Sequence, residues 1–266
     1  MMNNKIIIKL NLIFLVVFFM TQNVLSVNKL NSFMQQDTSD WKPPVFTERM
    51  NERNRMVREI SNHFYIPVKD KRVLDALRNA PRHEFVPENL QSKAYNNSPL
   101  PIGYGQTISQ PLIVGHMTEL LEIETGDKIL EIGTGSGYQA AVLAELTPNV
   151  YTIEIVPELA KRASQTLTNL GYTQIKTKTG DGYAGWEEYA PYDGIIVTCA
   201  PEDIPEPLIE QLKPGGVIVI PVGEKGQTQM LVVVRKGKHG GLFEEKQFPV
   251  RFVPMTGTAE EEEKRE

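Results

Sequence analysis

The ten residues from Lys128 to Gly137, KILEIGTGSG, constrain this chain more than any other stretch. Ile129, Leu130 and Ile132 read as a short buried strand with Glu131 near its carboxyl end, and glycines then alternate at 133, 135 and 137. From Tyr138 the pattern becomes QAAVLAEL, a run of good helix formers reaching Leu146. Strand, glycine turn and helix form the opening unit of a doubly wound α/β sheet, whose ligand sits at the strand's carboxyl end. Glycine suits such a turn because a side chain would block it or hold the ligand off the backbone.

The spacing narrows the ligand. A dinucleotide fingerprint has glycine at its first, third and sixth positions. Here Tyr138 holds the sixth position and the third glycine comes one residue early. The turn resembles the G-x-G-x-G loop of S-adenosylmethionine (SAM) methyltransferases, which implies a cofactor role for Glu131, Gly133, Thr134, Gly135 and Gly137. The α/β alternation continues. Val150–Glu154 reads as the second strand, and Glu154 follows the first glycine by about 20 residues, where a carboxylate can accept from both ribose hydroxyls. Ile155 adjoins it. Ile175–Thr179 reads as the third strand, ending in Gly180-Asp181-Gly182. Asp181 there could accept from an adenine amino group, or be an ordinary turn aspartate. Each element alone is weak. Their order at successive strand ends favours a SAM site over a chance glycine cluster.

The flanking elements follow from local signals. Thr47 is expected to cap a charged helix over 48–62, and Asp70 a second helix, Lys71–Asn79, that ends before Pro81. Pro111 suits the first turn of a third helix running to about Glu122, with Ser109 or Gln110 as its cap. Pro157–Leu170 and Pro205–Leu212 read as helices, and Lys213-Pro214-Gly215-Gly216 as a turn. Ile195–Thr198 and Val217–Ile220 read as further strands, with Met230–Arg235 and Phe248–Val253 as closing antiparallel strands. The fold class is therefore α/β, a doubly wound Rossmann-like SAM-dependent methyltransferase sheet with N-terminal helices and closing antiparallel strands.

A net charge of −5 over 266 residues argues against a nucleic-acid partner held on a basic face. A single cysteine, Cys199, excludes an intramolecular disulfide framework and a cysteine-based zinc cluster, and no metal is expected. Cys199 lies in an apolar run and reads as a small core residue. His83, between charged neighbours, reads as structural or surface rather than catalytic. Residues 1–26 look like a signal or anchor segment, with Lys5 and Lys9 before an apolar stretch. An upstream-misplaced start is a third reading. Residues 27–46 read as a linker, 47–257 as the methyltransferase domain and 258–266 as an acidic tail.

Several stretches together resemble the protein-L-isoaspartate (D-aspartate) O-methyltransferase family. They are PRHEFVP at 81–87, Leu100 to Pro111 with its TISQP segment, Leu130 to Leu146, Gly180 to Gly182, Ile195 to Thr198, Gln211 to Gly216 and RFVP at 251–254. They span roughly residues 48 to 257. The resemblance implies methyl transfer from SAM to the free carboxyl of L-isoaspartyl or D-aspartyl residues in damaged proteins. The ester would then collapse to a succinimide that reopens partly to normal aspartate. It implies Ser109 as the active-site residue, Thr107, Ile108 and Gln110 as substrate-binding, Pro99–Gln110 as a lid, and Gln229 and Gly182 beside the cofactor. It further implies a cytoplasmic monomer acting on proteins, although residues 1–26 argue for export or anchoring.

Such chemistry needs little machinery. The acceptor carboxylate is ionised at neutral pH, so no general base is required. Two rival readings remain: a SAM methyltransferase with another acceptor, and a non-catalytic SAM-binding module. Base-amino methylation is disfavoured because TCAP, at 198–201, stands where an Asn-Pro-Pro-Tyr-like element would be expected.

Overall fold

The computed structural model describes residues 41–257. The signal-like segment and the acidic tail read from the sequence lie outside the described residues, as does most of the linker. The described residues from Lys42 to Gly257 fall in one compact unit. The last linker residues already pack on it: the Phe46 ring lies 6.1 Å from that of Tyr172 and its carbonyl accepts from Arg53 Nη1 at 3.3 Å.

Seven strands form the main sheet: β3 (Lys128–Ile132), β4 (Asn149–Glu154), β5 (Lys176–Thr179), β6 (Tyr192–Val197), β7 (Leu212–Val222), β8 (Gln229–Lys236) and β9 (Leu242–Val250). Their spatial order is β5-β4-β3-β6-β7-β8-β9. Pairings from β5 through β7 are parallel, and β8 and β9 close the sheet antiparallel. The order reverses between β3 and β6, and at that switch point the crevice beyond the strands' carboxyl ends is the expected ligand site. The α/β fold class read from the sequence is present. Leu130, Ile132, Ile153, Ile195, Val197, Ile218 and Ile220 make one core cluster, each at most 2 % exposed. Burial of such a side chain contributes roughly 1.5–3 kcal/mol, which is why the central strands are near-continuous apolar runs.

Among the described residues, six α-helices flank or precede the sheet: α1 (Met50–Ser61), α2 (Lys71–Asn79), α3 (Pro111–Leu120), α4 (Tyr138–Ala144), α5 (Pro157–Asn169) and α6 (Glu206–Glu210). Asp70 caps α2 as its sequence predicts, its Oδ1 accepting from the Arg72 amide at 2.7 Å. Thr47 does not cap α1. That helix starts later, after Arg49, which holds a left-handed φ of 55° and pairs with Glu52. Neither does Ser109 cap α3. Gln110 occupies the cap position without a side-chain bond, and Asn97 Oδ1 accepts from the Leu112 amide at 3.1 Å instead. The expected turn at Lys213–Gly216 is absorbed into an irregular start of β7, where pairing with β6 shifts register between Tyr192 and Gly194.

The expected lid is a hairpin. β1 (Leu100–Gly103) pairs antiparallel with β2 (Gln106–Ile108). Leu100, Ile102 and Ile108 face inward while Pro101 and Thr107 are exposed. The Arg162 guanidinium on α5 donates to the Ile102 carbonyl and ties the hairpin to the sheet domain.

Candidate active site

The glycine turn after β3 is built from left-handed backbone: φ is 94° at Gly133, 54° at Gly135 and 90° at Gly137. Gly133 is also enforced by space, since a Cβ there would stand 2.5 Å from Thr198 Oγ1. That hydroxyl donates to the Gly133 carbonyl at 2.6 Å, so the end of β6 clamps the turn. Nothing in the local sequence marks Thr198 for this role, since it sits inside an apolar run. Behind the turn, Tyr138 opens α4, and the buried Arg82 guanidinium lies 4.9 Å over its ring while its Nε donates to the Ala94 carbonyl at 2.8 Å. The PRHEFVP stretch thus braces the turn. His83 in it is buried rather than on the surface, with Nδ1 2.8 Å from the Tyr95 hydroxyl.

Glu154, at the end of β4, is 6 % exposed and binds across the turn. Its Oε2 accepts from the Gly135 amide at 2.7 Å and its Oε1 from the Val156 amide at 3.0 Å. A carboxylate offers about four lone-pair sites, so two remain for further donors. One cleft collects these groups. It encloses about 570 Å³ when the solvent in its open mouth is counted. Gly133 and Gly135 line it after β3, Glu154, Ile155 and Val156 after β4, Gly182 after β5, and Thr198 and Cys199 after β6. Gln106 and Thr107 line it from the hairpin, and residues 253–256 from a C-terminal strap. The strap is pinned by Ala200, whose amide donates to the Val253 carbonyl and whose carbonyl accepts from the Met255 amide, both at 2.8 Å. Burial pushes the Cys199 thiol up, so it lines the wall as a neutral group and not as a nucleophile.

The other sequence-selected residues stand around this cleft rather than on its wall. Ile108 is buried beneath the hairpin, and Ser109 and Gln110 are half-buried between β2 and α3. The Thr134 hydroxyl lies 2.6 Å from that of Thr152. Asp181 Oδ1 accepts from the Tyr183 amide at 2.9 Å, and the carboxyl packs against Gly257. Gln229 is 2 % exposed and its Oε1 accepts from the Phe252 amide at 2.9 Å, one residue before the strap. Glu131 is fully buried, and neither carboxyl oxygen finds a hydrogen-bond donor among the described residues. Burial pushes its carboxyl up to about 8; the nearby Thr152 hydroxyl pulls it back and the Glu154 charge raises it further.

The residues fit a SAM-like ligand on two counts. The Gly133 cradle has no room for a Cβ, and the Glu154 carboxylate keeps acceptor capacity on the cleft wall. Among the described residues, no group of three or more His, Cys, Asp or Glu side chains could hold a metal ion.

Comparison with known proteins agrees with this geometry. Protein-L-isoaspartate O-methyltransferase 2 of Polaromonas sp. is 52 % identical over 208 residues, covering 78 % of this chain and 99 % of that protein. Protein-L-isoaspartate O-methyltransferase of Gloeobacter violaceus is 55 % identical over 189 residues, covering 71 % and 92 %. A solved protein-L-isoaspartate O-methyltransferase superposes with a TM-score of 0.70 at 27 % identity, covering 77 % of this chain and 66 % of that one. A Plasmodium falciparum structure with S-adenosyl-L-homocysteine superposes at 0.66 with 21 % identity, covering 79 % and 99 %, and speaks for the fold alone. A sequence model described as protein-L-isoaspartate(D-aspartate) O-methyltransferase (PCMT) matches residues 51–260. With the cradle, the strand-end acid and most of the chain in agreement, this protein belongs to the protein-L-isoaspartate (D-aspartate) O-methyltransferase family.

Proposed function

We propose that this chain methylates the free carboxyl of L-isoaspartyl, and D-aspartyl, residues in damaged proteins and so starts their repair through a succinimide. The observation that carries the reading is the meeting of two elements in one cleft: the cofactor cradle at Gly133 and Gly135, and the hairpin residues Gln106 and Thr107, the second of which opens the TISQP segment. SAM, when bound, supplies an activated methyl group on a sulfonium. Gly133, Thr134, Gly135 and Gly137 would let it approach the backbone, Glu154 would accept from its ribose hydroxyls, and Ile155, Asp181 and Gly182 would border its adenine. Glu131 supports the cradle from below. Gln229 acts at one remove, through the Phe252 amide and the strap.

On the acceptor side, Ser109 orients the carboxylate by a hydrogen bond and does not attack anything. Thr107, Ile108 and Gln110 shape its pocket. The acceptor is ionised at neutral pH, so the chain needs no general base. Catalysis rests on holding the acceptor against the donor and on excluding water with the hairpin and strap. The net charge of −5 supports proteins rather than nucleic acids as partners. The protein acts as a monomer in the cytoplasm, where SAM is supplied. No helix among the described residues is long and apolar enough to cross a membrane.

The test is incubation with labelled SAM and matched isoaspartyl and aspartyl peptides. A base-labile methyl ester on the isoaspartyl peptide alone is expected. SAM binding with label on neither peptide would overturn the reading.

A further inference from the structure

Tyr104 stands at the tip of the hairpin with 58 % of its surface exposed and a φ of 54°. Its neighbours Gly103 and Gly105 are left-handed too, at 91° and 71°. Glycine enters that region freely, whereas a residue with a Cβ is disfavoured there by about 1–2 kcal/mol. An exposed ring recovers little of this by burial. The fold alone therefore does not account for a large aromatic side chain at this position, and a strained, solvated residue of this kind points to function.

The tip is also held in a fixed relation to the cleft. Ile102 and Ile108 are buried, the Arg162 guanidinium holds the Ile102 carbonyl, and Ile102 Cδ1 reaches within 3.5 Å of where a Gly135 Cβ would stand. Two residues beyond Tyr104, Gln106 lines the cleft, and two residues span at most about 7 Å. A Cβ on Gly103 or Gly105 would meet nothing within 4 Å, so the backbone on either side of Tyr104 borders open space. Pro101 and Thr107, paired across the hairpin, expose their faces beside it.

We infer that Tyr104 is a specificity-determining contact for the polypeptide that carries the acceptor: its ring covers chain atoms flanking the acceptor residue at the cleft mouth. This rests on the methyl-transfer reading above. Tyrosine suits the task because it offers a large amphipathic face with only two side-chain torsions to fix. The flanking glycines leave that face bare. A contact of this type adds nothing for an acceptor without neighbouring residues, so its signature is a dependence on peptide length.

The experiment compares wild type with Tyr104→Ala, Tyr104→Gly and Tyr104→Phe on an isoaspartyl heptapeptide and on a minimal acceptor, N-acetyl-isoaspartyl amide. SAM affinity is measured separately by calorimetry. Tyr104→Ala and Tyr104→Gly are expected to raise the heptapeptide KM about fivefold or more. Their KM for the minimal acceptor and their SAM affinity should change by less than about twofold, and Tyr104→Phe should behave as wild type. Tyr104→Gly relieves the left-handed strain and should melt no lower than wild type, which guards against misfolding as the cause. An unchanged heptapeptide KM in both truncations overturns the inference, as does an equal loss on the minimal acceptor or an equal loss in Tyr104→Phe. A wild-type protein that binds SAM yet methylates neither acceptor would sink the underlying reading, and the wild-type arm alone reveals that case.

Discussion

The Gly135 amide donates to Glu154 Oε2 at 2.7 Å, so the acid at the end of β4 fixes the shape of the turn that follows β3. The same carboxylate accepts from the Val156 amide through its other oxygen. Its position in sequence suggests a ligand contact only. The structure gives it a second task, holding the cradle in form before any ligand arrives. Glu154→Gln replaces one acceptor oxygen by an amide donor, which must then face a backbone N–H. An unsatisfied buried donor costs about 1–3 kcal/mol, so SAM affinity should fall roughly tenfold to a hundredfold. Calorimetric titration with SAM checks this, and a Kd within about threefold of wild type would show that the carboxylate is dispensable.

Gly133→Ala meets two obstacles, the left-handed φ of 94° and the Thr198 hydroxyl 2.5 Å from the new Cβ. They can be separated. The double variant Gly133→Ala with Thr198→Ala removes the steric obstacle and leaves the backbone one. It should bind SAM more tightly than Gly133→Ala alone but more weakly than wild type, because about 1–2 kcal/mol of backbone strain remains. Equal affinities for the two variants would mean that the Thr198 contact is irrelevant.

What the sequence revealed is what short-range chemistry decides. The Asp70 cap, the β3 strand, the glycine turn and the acids ending β3 and β4 are each set within a few residues, and all are where their patterns put them. Contacts made across long separations were not legible. Asn97 caps a helix that starts at Pro111, and residues 253–256 reach the cleft only because Ala200 pairs with them. The hairpin read as a loop because its strands are only four and three residues long, the first carries Pro101, and glycines flank the tip at 103 and 105. Thr47 looked like a cap, yet the left-handed Arg49 begins α1 later, a choice made by its ion pair with Glu52 and its bond to the Gln91 carbonyl.

The division of labour at the start of α3 gives a pair of opposite outcomes. Asn97 caps the helix through the Leu112 amide, while Ser109 makes no cap bond. Asn97→Ala should lower stability by about 1 kcal/mol with most of the methylation rate retained. Ser109→Ala should leave the melting temperature near that of wild type and lower the turnover of isoaspartyl peptides. Thermal denaturation together with labelled-SAM assays reads both. A melting loss in Ser109→Ala as large as that in Asn97→Ala would assign the serine to the helix rather than to the acceptor.

Glu131 predicts a pH dependence of stability. Burial raises its carboxyl to about 8, whereas the unfolded chain ionises near the ordinary glutamate value of about 4.3. Below that value both states are protonated and no penalty arises. As pH rises through the window, the unfolded state releases a proton that the folded state retains, and stability falls by up to about 1.4 kcal/mol per pH unit until the folded group ionises. Glu131→Gln is uncharged throughout and escapes this loss. The melting temperature of the variant minus that of wild type should therefore increase from pH 5 to pH 8. Glu145, also raised by burial to about 7, tilts both proteins alike and cancels in the difference. Melting curves at several pH values decide the matter. A difference that stays flat across the window would mean that Glu131 is already ionised in the folded protein.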